Sequence, residues 1–179
     1  IDELVIGPDF HFGKDKQGGI ETLTICGFES AVIEHEFFEG KKISTSHIKR
    51  LLIQGDVEKA NFLMGRNFFV RGKVIRGKQL GRQLGFPTMN VENHDLLFIK
   101  NGTYVTRTLV NGIVYNSMTY VSRPLIESNL FGYNEFGYNF EIVVDFFKKI
   151  RDNRPFQNLN DLKRQLTEDL DFVKEYFRV

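Results

Sequence analysis

Cysteine is nearly missing from this chain of 179 residues: Cys26 stands alone, so no disulfide can form within it, and the composition fits an intracellular, cytoplasmic protein. Tryptophan is absent and proline occurs only four times. No apolar run approaches the ~20 residues that a membrane-spanning helix requires, so no membrane partner is expected. An excess of charge of either sign is also lacking: 24 basic against 23 acidic residues leave a net charge of +1, which argues against a nucleic-acid surface on charge alone. The histidines (His11, His35, His47, His94) are scattered without metal-ligand spacing and read as surface or core residues.

What is abundant is aromatic: 18 Phe and six Tyr, a composition that suits strands better than a helical bundle. LVIGPDF stands almost at the start of the sequence and already reads as a buried strand, so the chain is expected to be the later part of a longer protein. ETLTIC (21–26) and ESAVIEHEFF (29–38) read as short strands, separated from the first by the polar GKDKQGG (13–19). The stretch 43–65 changes character. Ser44 to Ser46 can cap a helix carrying Ile48, Leu51 and Leu52; Gly55 stops it, and Asp56 can cap a second helix carrying Val57, Ala60 and Leu63. A domain boundary is expected at Gly65-Arg66, giving domains 1–65 and 66–179.

Beyond it the pattern turns to strands at 68–75, 102–110, 113–121 and 138–147, with Asn111-Gly112 marking a two-residue hairpin. Strands joined by short turns without helical crossovers imply a mainly β, antiparallel barrel or sandwich. A final helix carries Leu159, Leu162, Leu166, Leu170, Val173 and Phe177 at three- and four-residue intervals, with Asn158 and Asp161 as a variant capping box.

The chemistry concentrates in GKQLGRQLGFPTMN (77–90). Its glycines recur every four residues, and it is not a Walker loop because no Gly-Lys-Ser/Thr closes it. Gly77, Gly81 and Gly85 let backbone approach an anion, Lys78 and Arg82 add positive charge, and Thr88 and Asn90 lie two apart on one face of an extended segment. A hydroxyl and an amide oxygen are hard donors suited to Mg²⁺ that keeps its waters and bridges phosphates. The alternative is a long turn in which Thr88 and Asn90 make local hydrogen bonds.

The pattern G-x-x-x-G-R-x-L-G-F-P-T-x-N resembles the signature of the kinase module of bacterial bifunctional riboflavin kinase/FMN adenylyltransferases (FAD synthetases). The resemblance covers nearly the whole chain. IGPDFHFGKDKQGGIETL and ISTSHIKRLLIQGDVEKANFLMGR are similar to segments of the family's adenylyltransferase domain and of the helix pair leading into the kinase. VDFFKKIRDNRPFQNLNDLKRQLTEDL is similar to its closing strand and helix. The resemblance implies a six-stranded antiparallel barrel with a C-terminal helix, preceded by a partial α/β nucleotidyltransferase domain. It implies transfer of the γ-phosphoryl of ATP to the ribityl 5′-hydroxyl of riboflavin, giving FMN, with Mg²⁺ and small molecules as partners.

By residue-level match, Thr88 and Asn90 are the implied Mg²⁺–ATP ligands, and Gly77, Gly81, Arg82, Gly85, Phe86 and Pro87 fall on the nucleotide loop. In MTYVSRPLIESNLF, Glu127 lands on the family's catalytic base; taken alone it reads as a solvated strand carboxylate. Arg151 and Phe156 of RDNRPF fall beside the flavin ring, against a salt bridge at the start of the last helix and a core aromatic as the local readings. The chain departs from the family in Met89, in the shortened VSRP (121–124), in GYN (132–134) and in Lys49 where the helix motif carries Arg. No HxGH motif is present, so residues 1–65 alone are not expected to make FAD. Two rivals remain: a degenerate flavin- or nucleotide-binding paralogue with a regulatory role, motivated by the shortened loop, and a small barrel binding oligonucleotides through interleaved basic and aromatic residues.

Overall fold

The computed structural model describes residues 3–77, 79–92, 98–135 and 137–178. Lys78 and His94 lie outside the described residues. Contacts divide the chain into two compact units, Ile1–Ser44 and Thr45–Val179.

In the first unit β1 (Leu4–Ile6) leads through a 3₁₀ turn (Lys14–Lys16) into α1 (Ile20–Ile25) and then β2 (Ser30–Val32), which pairs parallel with β1. A two-residue hairpin, β3 (Phe37–Phe38) with β4 (Lys41–Lys42), follows. The parallel crossover is the expected α/β pattern, but the strand expected over 21–26 is a helix. Gly19 N–H donates to Thr22 Oγ1 at its start, Leu23 is its buried contact, and Ile25 is left 85% exposed. Local capping and one apolar anchor prevail there over the strand preference of Ile and Thr. The strand expected over 29–38 forms only as β2 and β3 near its two ends.

The second unit opens with α2 (Thr45–Gln54) and α3 (Val57–Met64), separated at Gly55 and Asp56 as their sequence requires. Lys59 N–H donates to Asp56 Oδ1 at 3.1 Å, the expected cap. Asn61 fastens α3 to the barrel: its Nδ2 donates to Phe146 O at 2.8 Å and its Oδ1 accepts from Phe68 N–H at 2.7 Å. The helix pair thus belongs to the same compact unit as the strands that follow it.

Those strands are β5 (Phe68–Ile75), β6 (Met89–Glu92), β7 (Gly102–Val110), β8 (Ile113–Ser122), β9 (Leu125–Leu130) and β10 (Glu141–Arg151). A short helix α4 (Leu80–Leu84) interrupts the run between β5 and β6, and α5 (Leu159–Phe177) ends the chain. The strands close into a barrel in the order β10-β5-β6-β9-β8-β7, every neighbouring pair antiparallel. The expected bounds of β5 and β7 agree with the structure to the residue, whereas β10 runs on to Arg151. Asn111 and Gly112 take φ of 48° and 82°, the left-handed pair that a tight hairpin with matching twist needs.

Alternation sorts the barrel's two faces. Val105 and Met118 pack on Val173 of α5, so they face outward. Their neighbours Tyr104, Thr106, Ser117 and Thr119 face the interior, where Val74, Ile126, Ile142, Val144 and Phe146 supply the apolar fill. The interior hydroxyls satisfy one another: Thr106 Oγ1 lies 2.8 Å from Ser117 Oγ and 2.7 Å from Thr119 Oγ1, and Thr119 Oγ1 lies 2.7 Å from Ser128 Oγ. Filled in this way, the barrel is a solid support, and ligand chemistry is left to its outer face.

Candidate active site

The pairing registers place five side chains in one row across that outer face. Asn90 of β6 stands opposite Glu127 of β9, Glu127 opposite Tyr120 of β8, Tyr120 opposite Thr103 of β7, and Thr103 opposite Arg151 of β10. Directly opposed residues share a face about 5 Å apart, so the row is a continuous strip crossing five strands. An irregularity in β10 between Lys149 and Arg151 brings Arg151 into line with Thr103.

Two recesses meet on this strip. A narrow cleft is lined by Gly77, Gln79, Arg82, Pro87, Thr88, Asn90 and Tyr138. A cavity of ≈ 310 Å³ lies under α4 and α5; Thr88, Thr103, Tyr120, Glu127, Arg151 and Phe156 are among its walls. Thr88 borders both. Its Oγ1 donates to Glu127 Oε2 at 3.4 Å, so a hydroxyl and a carboxylate sit at the junction of the two spaces.

The glycine-rich segment explains how the junction is built. It is not an open turn but a loop wound around α4. A Cβ on Gly77 would lie 2.4 Å from the Asn90 side-chain amide, so only a bare Cα lets the loop close over that group. A Cβ on Gly81 would lie 2.4 Å from Phe86 O, which bends the segment back on itself. Gly85 caps α4 with φ 85° and lines neither recess. Gly81 and Phe86 face the larger cavity, while Gly77, Arg82 and Pro87 face the cleft. Asn129 Nδ2 donates to Pro87 O at 2.7 Å and pins the loop's far end to β9.

Asn90 is 5% exposed, and its buried Oδ1 has no hydrogen-bond partner among the described residues. A buried acceptor left unsatisfied costs about 1–3 kcal/mol, so this oxygen is open to a group that the described residues do not supply. Among the described residues no cluster of three His, Cys, Asp or Glu could hold a metal. A divalent ion here would depend on neutral oxygens plus those of a phosphate. The Asn90 amide oxygen and the Thr88 hydroxyl are the hard donors Mg²⁺ accepts in such a mixed shell.

At the other end of the strip Arg151 makes a salt bridge to the last helix, but to its middle rather than to its start. Its guanidinium donates three hydrogen bonds to Asp169 of α5, at 3.0, 2.9 and 2.7 Å, and it also lines the cavity. Phe156 lies between two cations, its ring centroid 5.7 Å from the guanidinium of Arg151 and 5.4 Å from that of Arg154. The VSRP departure is a tight connection: β8 reaches Ser122 and β9 resumes at Leu125, while Asn101 Oδ1 accepts from both Arg123 N–H and Nε–H at 3.2 Å. Thr103, Tyr120 and Asn129 had no motif to mark them; only the pairing register of β7, β8 and β9 brings them to the site.

The riboflavin kinase family model matches residues 64–177. A bifunctional riboflavin kinase/FMN adenylyltransferase from Buchnera aphidicola subsp. Schizaphis graminum is 33% identical over 192 residues, covering 98% of this chain and 62% of that protein. The Bacillus subtilis protein of the same description is 34% identical over 192 residues, covering 99% and 61%. A crystal structure from Streptococcus pneumoniae, described as a macrolide-efflux protein, is similar with TM-score 0.81 at 28% identity, covering 95% of this chain and 60% of that one. The chain thus spans about three fifths of the length of the curated relatives it matches. Since the matched span takes in the entire barrel and all of α5, the chain belongs to the riboflavin kinase family.

Proposed function

We propose that the chain phosphorylates riboflavin at the ribityl 5′-hydroxyl with Mg²⁺-ATP, releasing FMN and ADP. The observation that carries this is Thr88, which borders both recesses and hydrogen-bonds Glu127 where they meet. Phosphoryl transfer needs its two substrates brought end to end across such a junction, with little covalent chemistry from the protein.

In this reading ATP occupies the cleft, its phosphates running along the Gly77–Asn90 loop beside Arg82. Thr88 and Asn90 hold Mg²⁺, which when bound neutralises charge on the transferring phosphoryl group. Riboflavin fills the larger cavity, with its ribityl chain pointing toward Glu127. Glu127 takes the 5′-hydroxyl proton as that oxygen bonds to the γ-phosphorus, and the bond to the ADP oxygen breaks. Gly81 and Phe86 act from the flavin side of the loop, and Arg151 with Phe156 borders the ring end of the cavity.

Glu127 stands in register opposite Asn90 despite the short β8–β9 connection, which supports the enzymatic reading over a degenerate binder. We read the chain as the kinase part of a bifunctional, cytoplasmic FAD synthetase, with the β1–α1–β2 unit as a remnant of its adenylyltransferase, and with small molecules rather than nucleic acid as its partners. The direct experiment is incubation with riboflavin, ATP and Mg²⁺, followed by chromatography of the flavins. FMN should form, and Asn90→Ala or Glu127→Gln should remove most of it, the latter by roughly 10²- to 10⁴-fold in kcat. No FMN at saturating substrates would sink the proposal.

A further inference from the structure

The cavity wall carries a buried polar side chain that takes no part in the hydrogen bonding of the described residues or in the proposed chemistry. Thr103 is 1% exposed, and its Oγ1 has no hydrogen-bond partner among the described residues. The other buried hydroxyls of the central strands are paired: Thr106, Ser117, Thr119 and Ser128 bond one another inside the barrel. Thr103 points the other way, into the cavity, between Tyr120 and Arg151 on the strip. A valine would fill the same volume, suit a strand equally well and leave no orphaned hydroxyl. Threonine here therefore lowers stability unless something entering the cavity completes its hydrogen bond.

We infer that Thr103 is a substrate-recognition residue whose hydroxyl hydrogen-bonds the polar, pyrimidine-side edge of the isoalloxazine ring. The inference rests on the kinase reading of the site. Thr103 lies two strand spacings, about 10 Å, from Glu127, beyond the reach of the reacting end of the substrate and level with the ring. Met118, Leu162, Leu166 and Phe156 offer only apolar surface around it, which suits the ring's faces and its dimethylbenzene end. The ring's carbonyl and imine atoms are acceptors, and the threonine hydroxyl can donate to one of them. Set between Tyr120 and Arg151 and facing the apolar walls, a placed donor helps fix which way round the heterocycle enters.

Riboflavin titration followed by quenching of flavin fluorescence tests this. Thr103→Val should weaken riboflavin binding about 3- to 10-fold, the worth of one hydrogen bond. Thr103→Ser should bind within about twofold of the original. A purely structural role would lower thermal stability in Thr103→Val; the inference expects the ligand-free variant to melt at the same or a higher temperature, and riboflavin to raise that temperature less than in the original. Equal riboflavin affinity in Thr103→Val and the original chain overturns the inference, and FMN formation by the original chain would in that case leave the kinase reading standing. An original chain that neither binds riboflavin nor forms FMN overturns the kinase reading and the inference together.

Discussion

Arg151 of the last barrel strand holds Asp169 of the last helix through three hydrogen bonds, although Asp169 is only 2% exposed. The pair ties α5 to the barrel at one wall of the larger cavity. Truncating one partner strands the other's charge. Asp169→Ala is expected to cost about 3 kcal/mol of unfolding free energy in urea, and to weaken riboflavin binding because the cavity wall loosens. Asp169→Asn, which keeps one acceptor for Arg151, should recover part of both.

Gly77 is tied to Asn90 by contact rather than by backbone conformation. Gly77→Ala would push the Asn90 amide out of place, since its Cβ has only 2.4 Å to occupy. The expected result is a loss of up to about 100-fold in kcat/KM for Mg²⁺-ATP, with a much smaller effect on riboflavin binding. Steady-state kinetics with each substrate varied in turn separates the two.

Thr88 and Glu127 should behave as a coupled pair. Thr88→Val removes a donor to Oε2 and, on the proposed reading, a metal-ligand oxygen in one step, so it should lower kcat sharply, while Thr88→Ser should retain most of it. In a double-mutant cycle with Glu127→Gln the combined loss should fall well short of the sum. Strict additivity would mean that the 3.4 Å contact has no part in the reaction.

Asp145 supplies a pH dependence whose sign can be worked out. Burial pushes its carboxyl above the ordinary value of 3.8, with Arg107 opposing. The folded chain therefore holds a proton that the unfolded chain has released, and stability falls as pH rises from 3.8 through the folded value. Asp145→Asn should stabilise the protein at pH 7 by less than about 1 kcal/mol. Thermal melts across pH should show that advantage vanish below about 3.8.

What could be read from the sequence, and what could not, divides along local and non-local physics. β5 and β7 were legible because they are rich in β-branched and aromatic residues between turn signals, and the Asn158 and Asp56 caps because they act within one helical turn. The Gly77–Asn90 loop was legible as a motif with an expected role, but its internal contacts were not. That Gly77 covers Asn90 and Gly81 meets Phe86 depends on how the loop folds over β6. Ile20–Ile25 misled because strand-forming residues were overruled by a glycine start and a single buried leucine. Thr103 and Tyr120 were invisible because nothing in a linear pattern says which strands will lie side by side.

The way Asn61 stitches α3 to Phe68 and Phe146 bears on how such an enzyme could be divided or recombined. A break ahead of Thr45 leaves the barrel with both leading helices and their buried Leu51, Leu52, Val57, Ala60 and Leu63. A break at Gly65-Arg66, the domain boundary expected from the sequence, would sever those bonds and bare the apolar surface the helices cover. The unit that would carry the proposed kinase activity is therefore longer than its signature: in a gene fission or domain swap, the helix pair should travel with the barrel.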